Sequence, residues 1–187
     1  MEFEFSKEFL ERFKLALTVR DDVYIQESLG GVRSADICEI LSEIGIEEAK
    51  YAFDILSSDI AADVLVELEE DFRVEFMEYF TINELSHFIE ILDSDDGADL
   101  LNELSPQRSE EILEEIKNEE KVGHLLDLIR YDEDVAGGLM AKELVKVQAE
   151  WTVTRAIREI RRQAEELHQV YTVYVVDTED RLTGRLS

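Results

Sequence analysis

The sequence predicts a mainly α-helical protein, a superhelical solenoid of short helices on a 12-residue repeat followed by a partial α+β unit. Three observations carry that expectation. Apolar residues recur with a period of twelve through seven consecutive rows, from Ser34 to Lys117. Acidic charge is concentrated early: residues 1–140 hold 38 acidic and 11 basic side chains, whereas residues 141–187 hold 8 of each. After the pair Gly137-Gly138 the hydrophobic pattern changes from a helical spacing to short β-branched runs around a single helix.

Residues 5–29 read as one amphipathic helix through Phe9, Leu10, Phe13 and Leu17, stopped by Gly30-Gly31 and suited to capping a stack. The rows then start at Ser34, Ile46, Ser58, Glu70, Ile82, Ser94 and Pro106, and the seventh, eighth and eleventh places of each are apolar. Ile40, Leu41 and Ile44 fill them in the first row, and Phe76, Met77 and Phe80 in the fourth. Places at i, i+1 and i+4 form one helical stripe. Twelve is not a multiple of 3.6, so a continuous helix would carry this stripe around its axis, and each row is predicted to be a separate helix of about two turns. A helix that short is marginal alone, and stacking buries all seven stripes. An irregular helical bundle is the alternative.

Ser34, Ser58, Ser94 and the Ser105-Pro106 pair are N-cap or N1 types, with acidic residues often following where the helix dipole favours anions. Residues 119–130 read as one more helix with Leu125, Leu126 and Ile129 inward. A strand over 144–147 follows, then a helix capped by Thr152. Val153, Ala156, Ile157 and Ile160 form its apolar face, and Arg155, Arg158, Arg161 and Arg162 its solvated one. A strand over 170–176, a polar turn over 177–180 and a return strand over 182–186 complete a β-α-β-β order, which is expected either to stop inside its domain or to have its open edge covered by a second copy.

Composition excludes several functions. A net charge of −27 opposes binding to phosphates, so nucleic acid and anionic lipid are poor partners. The single Cys38 rules out an intramolecular disulfide and sits in an apolar row, as a core residue does. No apolar run approaches the ~20 residues of a membrane span, and the acidic start is unlike a signal peptide, which reads as cytoplasmic. The chain has no phosphate-binding glycine loop, nucleophile elbow or zinc-protease helix, and His87, His124 and His168 form no ligand pattern. An enzyme is not expected. The stretch from Asp93 is not a calcium loop, because an EF-hand's sixth and twelfth places would be Ala98 and Leu104.

The acidic rows carry their own chemistry. Two unit charges ~4 Å apart repel by ~4 kcal/mol at an effective dielectric of 20, and a hard divalent cation relieves this better than monovalent screening does. Oxygen-only ligands suit magnesium or calcium, and Asp95 and Asp99, at i and i+4, project from one helix face. On such a helix a carboxylate pair is more commonly a solvated face.

Several segments in order carry a resemblance. They are Ala35-Asp36-Ile37, Ala61-Ala62-Asp63-Val64-Leu65, Asp95-Asp96-Gly97-Ala98-Asp99-Leu100, Tyr131 to Met140, and Tyr174-Val175-Val176-Asp177. Together they resemble the cytosolic part of the MgtE magnesium transporter family over nearly the whole chain. The chain departs at Ala141-Lys142, where the family tends to Thr-Pro, and at Arg185, usually an aliphatic place. The resemblance implies an acidic helical N domain over 1–131, a linker or hinge over 132–140 and an incomplete first CBS domain over 141–187. A second CBS domain and a transmembrane pathway would complete the protein, as a homodimer, at the cytoplasmic face of the cell membrane. It further implies regulatory magnesium at Asp63, Asp95 and Asp99 with the Gly138 carbonyl, and a feedback sensor in which magnesium closes the N domain onto the CBS pair. Nucleotide binding is not expected over these residues. The alternative is an acidic helical-repeat module that docks a basic partner.

Overall fold

Helix starts follow the repeat closely. In the computed structural model, which describes residues 6–131, 135–137, 140, 142–165, 167, 170, 172–186, the seven rows form α3 (Ser34–Ser42), α4 (Ile46–Phe53), α5 (Ser58–Glu67), α6 (Glu70–Met77), α7 (Ile82–Ile91), α8 (Ser94–Glu103) and α9 (Pro106–Glu115). Each begins at the first place of its row. Of the 21 stripe residues all but Leu56 and Leu113 are buried, and those two are half-buried. Ser34, Ser58 and Ser94 stand at the first helical position, whereas Ser105 is a true N-cap whose Oγ accepts from the Arg108 amide at 3.4 Å, ahead of Pro106. In α7 the cap is reciprocal: Glu84 Oε2 accepts from the Thr81 amide at 2.8 Å, and Thr81 Oγ1 accepts from the Glu84 amide at 3.3 Å.

The single helix expected over 5–29 is two, α1 (Lys7–Val19) and α2 (Asp22–Leu29). Arg20 ends α1 in the left-handed region at φ 55°, its amide donating to the Ala16 and Leu17 carbonyls, and Asp21 caps α2. Asp22 lies twelve residues before Ser34, so α2 starts in phase with the rows, although Ser28 stands at the seventh place where each row has an apolar residue. Helix α10 (Glu119–Leu128) runs on from Asn118, whose side chain accepts from the Glu120 and Lys121 amides at 3.1 Å. Leu126 is exposed and Ile129 half-buried, contrary to expectation, because the inward pair is Leu125 and Leu128.

The described chain divides into two compact units, Met1–Phe88 with Asn102–Lys117, and Ile89–Leu101 with Asn118–Ser187. In the first, α3 packs on α4 and on its next-but-one neighbour α5, and α1 packs on α2 and α4. Its centre is aromatic: Phe53 meets Phe76, Phe80 and Phe88 edge-on at 5.4, 5.2 and 5.5 Å between centroids. Cys38 is buried, donates to the Val64 carbonyl at 3.4 Å, and has its thiol pushed up to about 12 by burial, with Glu67 adding to the shift. It is a core residue, as its row implies.

In the second unit, β1 (Val145–Gln148) pairs parallel with β2 (Val173–Val176), which pairs antiparallel with β3 (Leu182–Leu186), in the order β1-β2-β3. Helix α11 (Val153–Ala164) crosses between β1 and β2 and is capped by Thr152. Its expected apolar face is divided. Ala156 and Ile160 pack against Val145, Val147 and Val173, while Val153 and Ile157 are exposed. β2 begins at Val173, later than the expected 170, and every described residue of β3 is exposed.

Candidate functional site

The acidic first turn of α8 lies in the second unit. The helix opens Ser94-Asp95-Asp96, and Gly97 is buried where a Cβ would stand 3.0 Å from Leu125 Cδ2 and 3.3 Å from Ile89 Cγ2. A glycine in mid-helix is costly; here it lets α8 approach α10 closely, and Asp95 and Asp96 are half-buried. Asp95 Oδ1 is buried with no hydrogen-bond partner. Burial, then the charges of Asp95, Asp93 and Asp99, push the Asp96 carboxyl up to about 6, with Lys121 opposing. Burial and neighbouring carboxylates thus disfavour the anionic form of Asp96.

The turn is anchored by groups distant in sequence. Glu143 Oε2 accepts from the Ser94 amide at 3.0 Å, and its Oε1 accepts from the Ser94 hydroxyl. Lys121, 6% exposed, donates to Glu143 Oε1 at 3.0 Å and to the Leu92 carbonyl. Burial raises the Glu143 carboxyl, but the Ser94 hydroxyl and amide and the Lys121 charge outweigh it and hold the group below the usual carboxylate range. This anchor was not predicted: Glu143 lies 49 residues from Ser94 and outside any repeat.

Of the four predicted ligands, Asp95 and Asp99 stand one turn apart on α8, and Asp63 sits half-buried on α5 in the first unit. Gly138 lies outside the described residues, as do 132–134 of the expected hinge and His168. Among the described residues no group of three or more His, Cys, Asp or Glu side chains is gathered to hold a metal ion. An orphaned carboxylate oxygen in a crowded acidic turn fits a hard cation that keeps part of its water shell. His87 meets Ser58 Oγ at 3.2 Å.

A cleft of about 540 Å³ in the second unit is lined by Lys121, Lys146, Trp151 and Arg162 among others. Its cations are engaged: Lys121 by Glu143 at 3.0 Å, Lys146 by Asp180 at 2.6 Å and Arg162 by Glu159 at 2.5 Å. No helix among the described residues is long and apolar enough to cross a membrane.

Comparison with known proteins finds one family. The magnesium transporter MgtE of Thermus thermophilus is 48% identical over 60 residues, which is 32% of this chain and 13% of that protein. The magnesium transporter MgtE of Enterococcus faecalis is 37% identical over 68 residues, 36% of this chain and 15% of that protein. The match thus spans less than a sixth of the length of either relative. The crystal structure of the cytosolic domain of the Mg2+ channel MgtE in complex with ATP superposes with a TM-score of 0.82 at 29% identity, over 95% of this chain and 73% of that one. The soluble part of a magnesium transporter superposes with a TM-score of 0.79 at 23% identity, over 97% of this chain and 71% of that one, a likeness of fold. The family model for the MgtE intracellular N domain matches residues 32–134, more than half of the chain, and the chain belongs to the MgtE family.

Proposed function

We propose that this chain is the magnesium-sensing cytosolic region of a magnesium transporter. In this reading divalent cation draws the acidic helical part onto CBS units, and the closed arrangement holds a transmembrane pathway shut. The observation that carries it is the first turn of α8, where Asp95 Oδ1 is buried without a partner among crowded carboxylates. Removing cation leaves that repulsion unrelieved, so the open arrangement gains when magnesium falls. The ion acts only through its differential affinity for the two arrangements.

Magnesium retains several waters, so one or two carboxylates suffice on each side. Asp95 and Asp99 would supply α8's share; Asp63 and the Gly138 carbonyl are the further ligands that the resemblance implies. The reading places the chain at the cytoplasmic face of a membrane, working with the rest of its own polypeptide as a homodimer and without a catalytic step. The ATP of the related crystal structure belongs to that protein, and an anionic nucleotide here would have to displace the carboxylates that already hold Lys121, Lys146 and Arg162.

Amide hydrogen exchange in millimolar magnesium chloride, against sodium chloride of equal ionic strength, tests this reading. Magnesium is expected to add protection over 59–63 and 94–104, and Asp95→Asn combined with Asp99→Asn to abolish it. Equal protection by sodium points instead to an acidic surface for a basic partner. Protection that survives the double substitution places the ion elsewhere.

A further inference from the structure

Ser94, Lys121 and Glu143 are remote in sequence, yet all three are held away from solvent around one carboxylate. Ser94 is fully buried, and the Glu143 side chain is 13% exposed. An α-helix begins with amides that have no partner inside the helix, and α8 has its first one satisfied by Glu143, two residues before β1. The same carboxylate takes the Ser94 hydroxyl and the Lys121 ammonium, so three groups converge on it. Lys121 in turn donates to Leu92 at the end of the α7 row. One ion pair therefore joins four segments: the end of α7, the start of α8, α10, and the lead into β1.

We propose that Glu143 is a positioning residue that clamps the acidic first turn of α8 to the lead of β1, so that the turn and the strand order and loosen together. Asp95 and Asp96 immediately follow the clamped residue. Whatever occupies that turn is thereby coupled to the sheet, by a contact rather than through the intervening chain. A charged bidentate acceptor does this where a neutral cap would not, because it engages both a helix amide and a buried ammonium. The consequence for cation binding rests on the magnesium-sensing reading; the clamp does not.

Exchange of the α8 and β1 amides without divalent cation, in the wild type and in Glu143→Gln, tests the clamp. The amide keeps the shape and one acceptor oxygen but loses the charge. Exchange over 94–98 and over Val145–Gln148 is expected to rise together by roughly tenfold, with α3–α6 unchanged. Ser94→Ala, a milder change, is expected to move the same two segments in the same order. If α8 loosens while β1 is unaffected, or neither changes, Glu143 is no more than a local cap and the proposal is wrong. In a magnesium titration, Glu143→Gln is expected to shift the midpoint of protection over 94–104 to several-fold higher concentration while leaving the plateau intact, a response that simple loss of stability does not give. A wild type that shows no magnesium-specific protection overturns the sensing reading, and the cation-free comparison still decides the clamp.

Discussion

Asp96 shows what crowding costs one carboxylate and why pH reports it. Its carboxyl is pushed from an ordinary 3.8 up to about 6, chiefly by burial and then by Asp95, Asp93 and Asp99. Between those values the folded chain binds more protons than the unfolded one, so this group lowers stability as pH rises through the window and keeps it lowered above. Asp96→Asn is therefore expected to stabilise the protein at neutral pH by about 1 kcal/mol, after allowing for solvent screening. The gain should vanish as the pH approaches about 4. Thermal unfolding of both proteins across that range checks this, and a gain that does not vary with pH would assign the effect to packing. Asp95 and Asp99 were legible in the sequence because i, i+4 spacing is a local property. The orphaned state of Asp95 was not, since burial of its Oδ1 away from any partner is set by packing rather than by spacing.

Among elements, the fourth place of each row explains what the apolar stripe alone does not. Ile37, Ala49, Ala61, Leu85 and Gly97 occupy it and are buried, Arg73 occupies it in α6, and in the seventh row it is the half-buried Ser109. Counting the row on from Asn118 puts Lys121 there too. A cation at an inward place needs acceptors, and Arg73 finds the Val66 and Leu68 carbonyls at 2.6 and 2.9 Å and Glu103 at 2.9 Å. These carbonyls lie where α5 ends, so the guanidinium supplies part of that helix's C-terminal hydrogen bonding. Arg73→Met is expected to cost about 3 kcal/mol, because it strands two carbonyls and a half-buried carboxylate. Arg33→Ala, which breaks an exposed pair with Asp36, should cost less than about 0.5 kcal/mol. Urea unfolding of the two variants compares them, and similar losses would contradict the assignment. The inward direction of Arg73 and Lys121 was readable from place four; their partners, 30 and 22 residues away, were not.

For the whole molecule the governing quantity is a net charge of −27, all of it carried by the first 140 residues. Self-repulsion of that size opposes folding and is screened by salt. Raising sodium chloride from low ionic strength is expected to lift the unfolding temperature by about 5 °C, and magnesium at equal ionic strength to lift it further. Identical curves for the two salts would reduce the acidic rows to a solvated face. The helical repeat, the start of each helix in its seven rows and the β-α-β-β order were present in the sequence because each rests on residue spacing along the chain, and the family was present as a resemblance carried by ordered segments. The split of residues 7–29, the exposure of Val153, Ile157 and Leu126, and the anchoring of α8 by Glu143 were decided by tertiary structure. Which face a helix buries, and which remote carboxylate finds an unpaired amide, depends on what packs against it, and periodicity within a helix carries no record of its neighbours.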